Sequence, residues 1–262
     1  MYPIGYAGTE EDKIIHDYED YSDLQELIDT VYNGSLRNKM KINIEKTKHM
    51  TYTRKTQYTV TRYFLNKQVI CKSDKIKDLG VIFDSKLLFQ NHIDTVTDCA
   101  RRTLGCIVAN WQCVNKPEVF LYLYVMLIRP KLEFASVIWN SASETTLNQI
   151  ESVQQKAVNF MYFKYKLFSL FHDYQHLCKT FHVETLKERR LLNDYNFINN
   201  CLNGKVICEY VLNNVSFKIP PYNMRVKNCI ITKSVKLSPV YRIVQSYNSV
   251  QEILLLRDDC HV

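Results

Sequence analysis

The chain has 262 residues, of which 46% are hydrophobic and 23% are charged, which is enough apolar material for one or two domains with a sizeable core. This composition excludes wholesale disorder, and six glycines with six prolines are too few for glycine-rich phosphate loops, collagen or a turn-dense β-sandwich. The net charge is +7, and the charge is divided into blocks. Residues 1–35 carry nine acidic side chains and one lysine, whereas residues 36–77 carry twelve basic and two acidic side chains. The basic block predicts either a surface that binds a polyanion or a solvated charged face.

The first third of the chain has the pattern of one helix followed by short strands. An apolar stripe of helical period predicts a helix over 22–38, with Ser22 and Gln25 as a capping box. From 41 to 84 the period changes to two, which predicts a small antiparallel β region that includes a buried strand over 79–83.

The middle of the chain has the pattern of a helical bundle. Amphipathic stripes predict four helices between residues 90 and 202, and short polar links favour antiparallel packing of the first three. Their landmarks are Pro117 at a first helical position, a kink at Pro130, Ser143 as an N-cap, and Gly204 after the fourth helix, which begins at about Val183. Three prolines interrupt the pattern beyond residue 205, so we predict an irregular tail with short extended pieces.

Targeting and metal-binding signals are absent from the sequence. No basic segment precedes an apolar run at the N-terminus, and the longest apolar run, 119–128, is half of the about 20 residues that a membrane span needs. Nine cysteines lack zinc-site spacing, and an odd count without a signal peptide fits a reducing compartment. We therefore expect an intracellular protein, nuclear or cytoplasmic, with no metal site and no membrane partner.

Five ordered motifs carry a more specific signal. They are KINIEKTKHM at 41–50, DLGVIFDSKLLF with the following HI at 78–93, LIRPKLEFAS with its tryptophan at 127–139, IESVQ at 150–154, and LKERR with a later Asn-Gly at 186–204. In this order and spacing they resemble the reverse transcriptases of jockey-like non-LTR retrotransposons. The resemblance extends over about residues 13–215.

The resemblance implies an order of parts that agrees with the predicted elements. The fold class is α+β, with a small antiparallel palm-remnant β region followed by a helical thumb bundle and a partly irregular C-terminal extension. The expected parts are a truncated palm remnant with a primer-grip-like hairpin over 1–90, a helical thumb over 91–165, and an extension with one long helix over 166–262.

The sequence departs from the family at the acids that bind metal. The intact family is expected to use Mg²⁺, because polymerase chemistry needs two divalent ions bridged by carboxylates. One family acid comes from an upstream palm strand, and others come from a Tyr-Ala-Asp-Asp turn. Here the turn region reads YAGTEEDKII at 6–15, so Glu11 and Asp12 are the degenerate candidates, displaced by three extra residues. We predict no cofactor and no polymerase activity for this chain alone; template-dependent primer extension would contradict that prediction.

Nucleic-acid binding is the property that can survive without catalysis. Lys46 matches the motif lysine, which the family is thought to use near the departing pyrophosphate, and residues 79–81 match the primer grip. Interleaved basic and aromatic residues also suit phosphate contact with base stacking. The candidate binding residues are Lys46, Lys48, Arg54, Lys55, Leu79, Gly80, Val81, Arg101 and Arg102. For each of them the alternative is a solvated charge or a residue that packs in a hairpin.

Three functional hypotheses follow. The first is a truncated RNA-directed DNA polymerase that is inactive alone and retains binding to an RNA/DNA primer–template. The second is a non-catalytic protein-interaction or functionless retroelement remnant. The third is a polymerase part that acts only when joined to the missing palm and fingers segment. Salt-dependent binding to an RNA–DNA hybrid separates the first hypothesis from the second.

Overall fold

The computed structural model describes residues 18–53, 62–111, 116–164, 173–217, 230–232 and 239–258. The chain divides into two compact units, residues 1–89 and residues 90–262. In the described ranges the first unit holds one helix and short strands, and the second is mostly helical. This arrangement confirms the predicted α+β class with small sheets and a helical bundle.

The described strands of the first unit form three two-stranded sheets. They are β1 (Lys48–His49), β2 (Phe64–Leu65), β3 (Gln68–Val69), β4 (Cys71–Lys72), β5 (Lys75–Asp78) and β6 (Val81–Asp84). Strands β2 and β3 form one antiparallel hairpin and β5 and β6 another, whereas β1 and β4 run parallel. The prediction of an antiparallel region over 41–84 is therefore wrong for β1 and β4, because the long connection between them allows a parallel crossover.

The helix α1 (Tyr18–Arg37) closes one edge of the β2–β3 hairpin. The Gln25 amide accepts from the Phe64 N–H at 2.9 Å and donates to the Phe64 carbonyl at 2.8 Å. A side-chain amide thus satisfies the outward backbone groups of an edge strand. The helix is confirmed over 22–37, but the capping box is wrong, since Ser22 lies inside a helix that begins earlier.

The second unit packs its helices around buried aromatic residues. The helices are α2 (Gln90–Ala109), α3 (Pro117–Leu123), α4 (Arg129–Glu133), α5 (Ser136–Trp139), α6 (Glu144–Lys164), α7 (Tyr174–Thr180), α8 (Leu186–Leu202), α9 (Glu209–Asn214) and α10 (Pro239–Asp258). Helix α2 packs on α6, and α8 packs on α10. Trp111, Phe120, Tyr124 and Trp139 are almost fully buried between these elements. Burial of aromatic rings of this size provides a large share of the hydrophobic stabilisation.

A turn of π-helix, Tyr124–Ile128, joins α3 to α4. The Arg129 N–H donates to the Tyr124 carbonyl, five residues back. The next residue is Pro130, which has no N–H to continue the α-helical ladder. The sequence predicts a kink at Pro130, and the structure places the irregular turn directly before it.

The predicted Ser143 cap of α6 and the predicted glycine at the end of α8 are confirmed. Ser143 Oγ accepts from the Thr146 N–H at 3.3 Å at the start of α6. Gly204 has a φ of 67° after α8, and the Lys205 N–H donates to the Asn200 carbonyl at 2.9 Å in a Schellman closure. Helix α8 begins at Leu186, three residues later than predicted, because Thr185 and Glu188 form a capping box there.

The tail contains more regular structure than the sequence predicts. Strands β7 (Val215–Phe217) and β8 (Ile230–Thr232) confirm the short extended pieces. The prediction of an irregular tail is wrong over Pro239–Asp258, which forms the 20-residue helix α10, so the extension has two long helices. Pro239 begins this helix, since a proline at the first position loses no hydrogen bond that the helix needs.

Candidate functional site

The lysine motif forms a turn that projects Lys46 into solvent. The Asn43 carbonyl accepts from the N–H groups of Lys46 and Thr47 at 3.2 and 3.1 Å, and the Asn43 side chain also accepts from the Lys46 N–H at 3.1 Å. The Thr47 hydroxyl donates to the same carbonyl at 2.9 Å. Asn43 and Thr47 therefore shape the turn, and the exposed Lys46 ammonium is available for an external partner.

Two further lysines, Lys48 and Lys72, lie on the paired strands β1 and β4. Lys48 is exposed opposite Cys71, and His49 is opposite Lys72 in the parallel register. Burial and the nearby Lys72 ammonium lower the pKa of His49 below its ordinary value. His49 is therefore neutral near pH 7, so the positive charge at these strands comes from Lys48 and Lys72.

The hairpin β5–β6 separates the three residues that match the primer grip. Asp78 pairs with Val81, which leaves Leu79 and Gly80 as a two-residue turn with φ values of 43° and 93°. Leu79 is 70% exposed at the tip, whereas Val81 is 2% exposed in the core. The predicted buried strand over 79–83 is therefore wrong for its first two residues, because the hairpin turns there.

The outward face of β5 adds two more lysines next to this tip. Lys75 and Lys77 are exposed and alternate with Ile76 and with the buried Asp78. At the end of β6, the Asp84 carboxylate accepts from the backbone N–H groups of Lys86, Leu88 and Phe89 at distances between 2.7 and 3.1 Å. The two aspartates that begin and end the DLGVIFD segment thus lie within the fold, and the lysines lie on its surface.

The turn conformation of Leu79 leads to a stability prediction. Leucine at a φ of 43° is strained, whereas asparagine tolerates this region. We expect Leu79→Asn to stabilise the hairpin by about 0.5–1 kcal/mol. Amide hydrogen exchange of residues 75–84 should slow accordingly. Leu88→Asn is the matched control, since Leu88 is also exposed and its φ is not positive; faster exchange in Leu79→Asn than in the wild type would contradict the strain argument.

Of the remaining candidate residues, two lie on helix α2 and the others lie outside the described residues. Arg101 on α2 pairs with Asp98 at 3.3 Å and donates to the Ser152 hydroxyl at 3.5 Å, whereas Arg102 is exposed. Arg101 is thus partly engaged within the bundle, and Arg102 is the freer cation of the two. Glu11, Asp12, Arg54 and Lys55 lie outside the described residues.

The three motifs of the second unit converge on one buried polar network. Its members come from the RPKLE, IESVQ and LKERR segments, from a later turn of α8 and from α10, far apart in sequence. They are Glu133, Glu151, Gln154, Arg189, Arg190, Asp194 and Arg242. These charged and amide side chains of the motifs therefore join helices to one another.

One end of this network is an ion pair between α4 and α8. Arg189 makes two parallel hydrogen bonds to the Glu133 carboxylate, one of them at 3.0 Å from Nη2 to Oε2, and a further bond to Glu184 at 2.8 Å. Arg129 also lies 3.8 Å from Glu133. The hydrogen bond to Glu133 raises the pKa of Arg189, opposed by partial burial. The bidentate geometry fixes the orientation of the two helices.

Gln154 is the centre of the network and is fully buried. Its carbonyl accepts from the Tyr124 hydroxyl at 2.6 Å, and its amide donates to the Tyr174 hydroxyl and to the Glu184 carbonyl, each at 2.9 Å. Burial raises the pKa of both tyrosines. One glutamine on α6 thus ties the π-helical turn, α7 and the start of α8 together.

Asp194 forms the other end of the network. Its side chain is 0% exposed, and its carboxylate lies 3.4 Å from Arg242 Nε on α10. The same carboxylate accepts from Asn140 Nδ2 at 3.0 Å and from the Ser246 hydroxyl at 3.3 Å. Burial raises the pKa of Asp194, whereas Arg242 and these hydrogen bonds oppose that rise. The carboxylate therefore holds α5, α8 and α10 at one point.

The sequence contained a signal for this network that the apolar stripes obscured. Gln154 lies at the i+4 position between Ile150 and Val158 on the buried face of α6. On α8 the buried face runs through Leu186, Arg190, Asp194, Ile198 and Cys201. Polar residues at buried stripe positions are the detectable signal, because an unpaired buried polar group is costly.

The described residues provide no metal centre for the Mg²⁺ that the resemblance implies. Within the described ranges no three His, Cys, Asp or Glu side chains are grouped to hold a metal ion. The degenerate candidates Glu11 and Asp12 lie outside those ranges. The described helices likewise include none with the length and hydropathy of a membrane span.

Comparison with known proteins points to mobile-element polymerases. The chain is 26% identical over 137 residues to the RNA-directed DNA polymerase from mobile element jockey of Drosophila funebris, which covers 51% of this chain and 15% of that protein. It is 25% identical over 141 residues to the Drosophila melanogaster counterpart, covering 52% and 15%. No protein-family profile matches the chain, and no solved structure matches it. The two matches support a relationship to reverse transcriptases, and they span a small part of each relative.

Proposed function

We propose that the chain corresponds to the palm end, thumb and carboxy-terminal extension of a jockey-like reverse transcriptase and binds an RNA/DNA primer–template without catalysing synthesis alone. One observation carries the proposal: Lys46, Lys48 and Lys77 of the first unit are exposed at a turn and on strands, whereas Glu133, Glu151, Arg189 and Arg190 of the second-unit motifs pair with one another. An exposed cation is available to bind an external polyanion, whereas a buried ion pair joins parts of the fold.

The binding surface is assigned to the first unit. Its exposed lysines on the motif turn, β1 and β5 are Lys46, Lys48, Lys75 and Lys77. Lysine ammonium groups on short strands and turns contact phosphates without reading bases. The exposed Leu79 at the hairpin tip adds an apolar contact beside them. The proposed ligand is therefore a nucleic-acid backbone, with little dependence on sequence.

The absence of synthesis is proposed from the sequence of the turn region. The metal-binding pattern of the family needs two adjacent aspartates at its turn, and this chain has Glu11 and Asp12 after three extra residues. Two bridged divalent ions require carboxylates at fixed separation. The experiment for this part is primer extension with Mg²⁺ or Mn²⁺, in which the chain alone should add no nucleotides.

The binding part is tested by reversing two of the displayed charges. We expect the double variant Lys46→Glu and Lys48→Glu to bind a fluorescent RNA–DNA hybrid at least about tenfold more weakly than the wild type, because two phosphate contacts become repulsions. Fluorescence anisotropy at fixed low salt measures the affinity.

The matched control carries the same change in charge elsewhere. The double variant Lys187→Glu and Lys205→Glu reverses two exposed lysines of the second unit. We expect it to lose at most about threefold in affinity through the change of net charge alone. Equal losses in both double variants would refute the assignment to the first unit, and no measurable binding by the wild type would favour the alternative, a remnant without nucleic-acid function.

A further inference from the structure

An apolar ridge runs along the outward side of the segment from Pro117 to Phe134 in the second unit. Its members are Tyr122, Met126, Leu127 and Phe134, which are 71%, 61%, 46% and 54% exposed. Their neighbours Phe120, Tyr124, Ile128 and Leu132 are buried against the bundle. Exposed tyrosine, methionine and phenylalanine side chains that follow one another along a segment are typical of the central part of a protein interface.

The π-helical turn is what makes the ridge continuous. In an α-helix the residues four and five positions after Tyr122 point in clearly different directions. The extra residue in the π turn lets both Met126 and Leu127 face outward while Tyr124 and Ile128 remain buried. Such turns are rare and are frequently found at functional sites. The exposure of these apolar side chains therefore follows from the backbone conformation and not from the rotamer of a single residue.

Two uncompensated charges of opposite sign flank the centre of the ridge. Glu118 is exposed near its start, and Lys131 is exposed near its end, where its ammonium donates to the Thr103 hydroxyl at 2.9 Å. Within the described part of the chain neither side chain forms an ion pair. The two positions are 13 residues apart, about 20 Å along a helix.

We propose that the ridge is a self-association surface that pairs with a second copy of this chain in an antiparallel arrangement. A two-fold axis between residues 124 and 125 sets Glu118 opposite Lys131 of the second copy and Tyr122 opposite Leu127 of the second copy. The ion pair and the apolar pair then each form twice, as an isologous interface requires. The surface is self-complementary in charge and in apolar character, and this selects a second copy over an unrelated partner.

The interface is small, so association should be weak. A handful of apolar side chains with two rim ion pairs corresponds to the low end of specific interfaces, and we expect a Kd of about 10–100 μM. Sedimentation equilibrium of the full chain from about 5 to 500 μM covers this range. An interface of this affinity forms transiently, and one charge introduced at its centre is expected to disrupt it.

Charge reversal provides the decisive experiment. Glu118→Lys and Lys131→Glu should each weaken dimerisation at least about fivefold, and the double variant should restore it, because the reversed pair is again complementary. Leu127→Asp should abolish dimerisation, and Lys187→Glu on α8 should leave it unchanged as the matched control. Unchanged tryptophan fluorescence verifies folding, since both tryptophans, Trp111 and Trp139, are buried in the second unit.

Three results would overturn the proposal. One is a wild-type chain that stays monomeric over the whole concentration range. Another is association that the double charge reversal fails to restore. The last is a Leu127→Asp variant that associates normally but binds the RNA–DNA hybrid more weakly, which would make the ridge a nucleic-acid surface.

Discussion

Replacing Asp194 by alanine should lower the free energy of unfolding of the second unit by about 3–5 kcal/mol. The side chain is fully buried, and its removal leaves Arg242 without the carboxylate that lies 3.4 Å away. Arg190 loses part of the negative charge that offsets the lowering of its pKa by burial. Asn140 and Ser246 lose their acceptor in the same step. The cost comes mainly from cationic groups of the interior that lose part of their compensating negative charge.

Urea unfolding followed by tryptophan fluorescence measures this loss, because the only two tryptophans of the chain lie in the second unit. Asp98→Ala is the matched control: its pair with Arg101 is exposed, so its removal should cost at most about 0.5 kcal/mol. Asp194→Asn keeps hydrogen-bonding capacity without charge and should fall between the two. A loss below about 1 kcal/mol for Asp194→Ala would contradict the bridging role.

Replacing Gln154 by leucine should destabilise the second unit by about 2–4 kcal/mol, although the side chains are similar in size. The change removes the acceptor of the Tyr124 hydroxyl and the donors to Tyr174 and the Glu184 carbonyl. Tyr124 is 1% exposed, so water cannot replace the lost partner without opening the core. The penalty comes from polar groups that stay buried and unpaired.

The neighbouring residue provides the control for Gln154. Gln155 lies on the same helix and is exposed, so Gln155→Leu should change the free energy of unfolding by at most about 0.5 kcal/mol. Adding Tyr124→Phe to Gln154→Leu removes both partners of the 2.6 Å bond. The double variant should therefore be at least about 1 kcal/mol more stable than the sum of the single losses predicts. Additive losses would show that the two side chains do not act as a pair.

Local signals in the sequence were sufficient for three of the helix ends, although not for the start of α1 or of α8. Pro117, Ser143 and Gly204 each act through their own backbone or side chain within one helical turn, and the structure places all three as predicted. Pro239 was misinterpreted for the same local reason: proline both interrupts a helix and suits its first turn. Only the apolar residues that follow it, packed on α8, distinguish the two cases.

Long-range pairings could not be obtained from the sequence pattern. The parallel pairing of β1 with β4 depends on two-residue strands, whose alternation carries almost no information about direction. The burial of Arg190 and Asp194 was missed because charged residues are assumed to face solvent, and their partners Glu151 and Arg242 are distant in sequence. The candidate lysines Lys46 and Lys48 were found because exposure is the default for lysine.

The most direct test of the proposed function is the salt dependence of binding to an RNA–DNA hybrid. Phosphate contacts release counterions, so the logarithm of the association constant should fall linearly with the logarithm of salt concentration, with a slope of about −2 to −4 for three to five contacts. A flat dependence with millimolar affinity would contradict the account, because the displayed lysines of the first unit would then contact no phosphates.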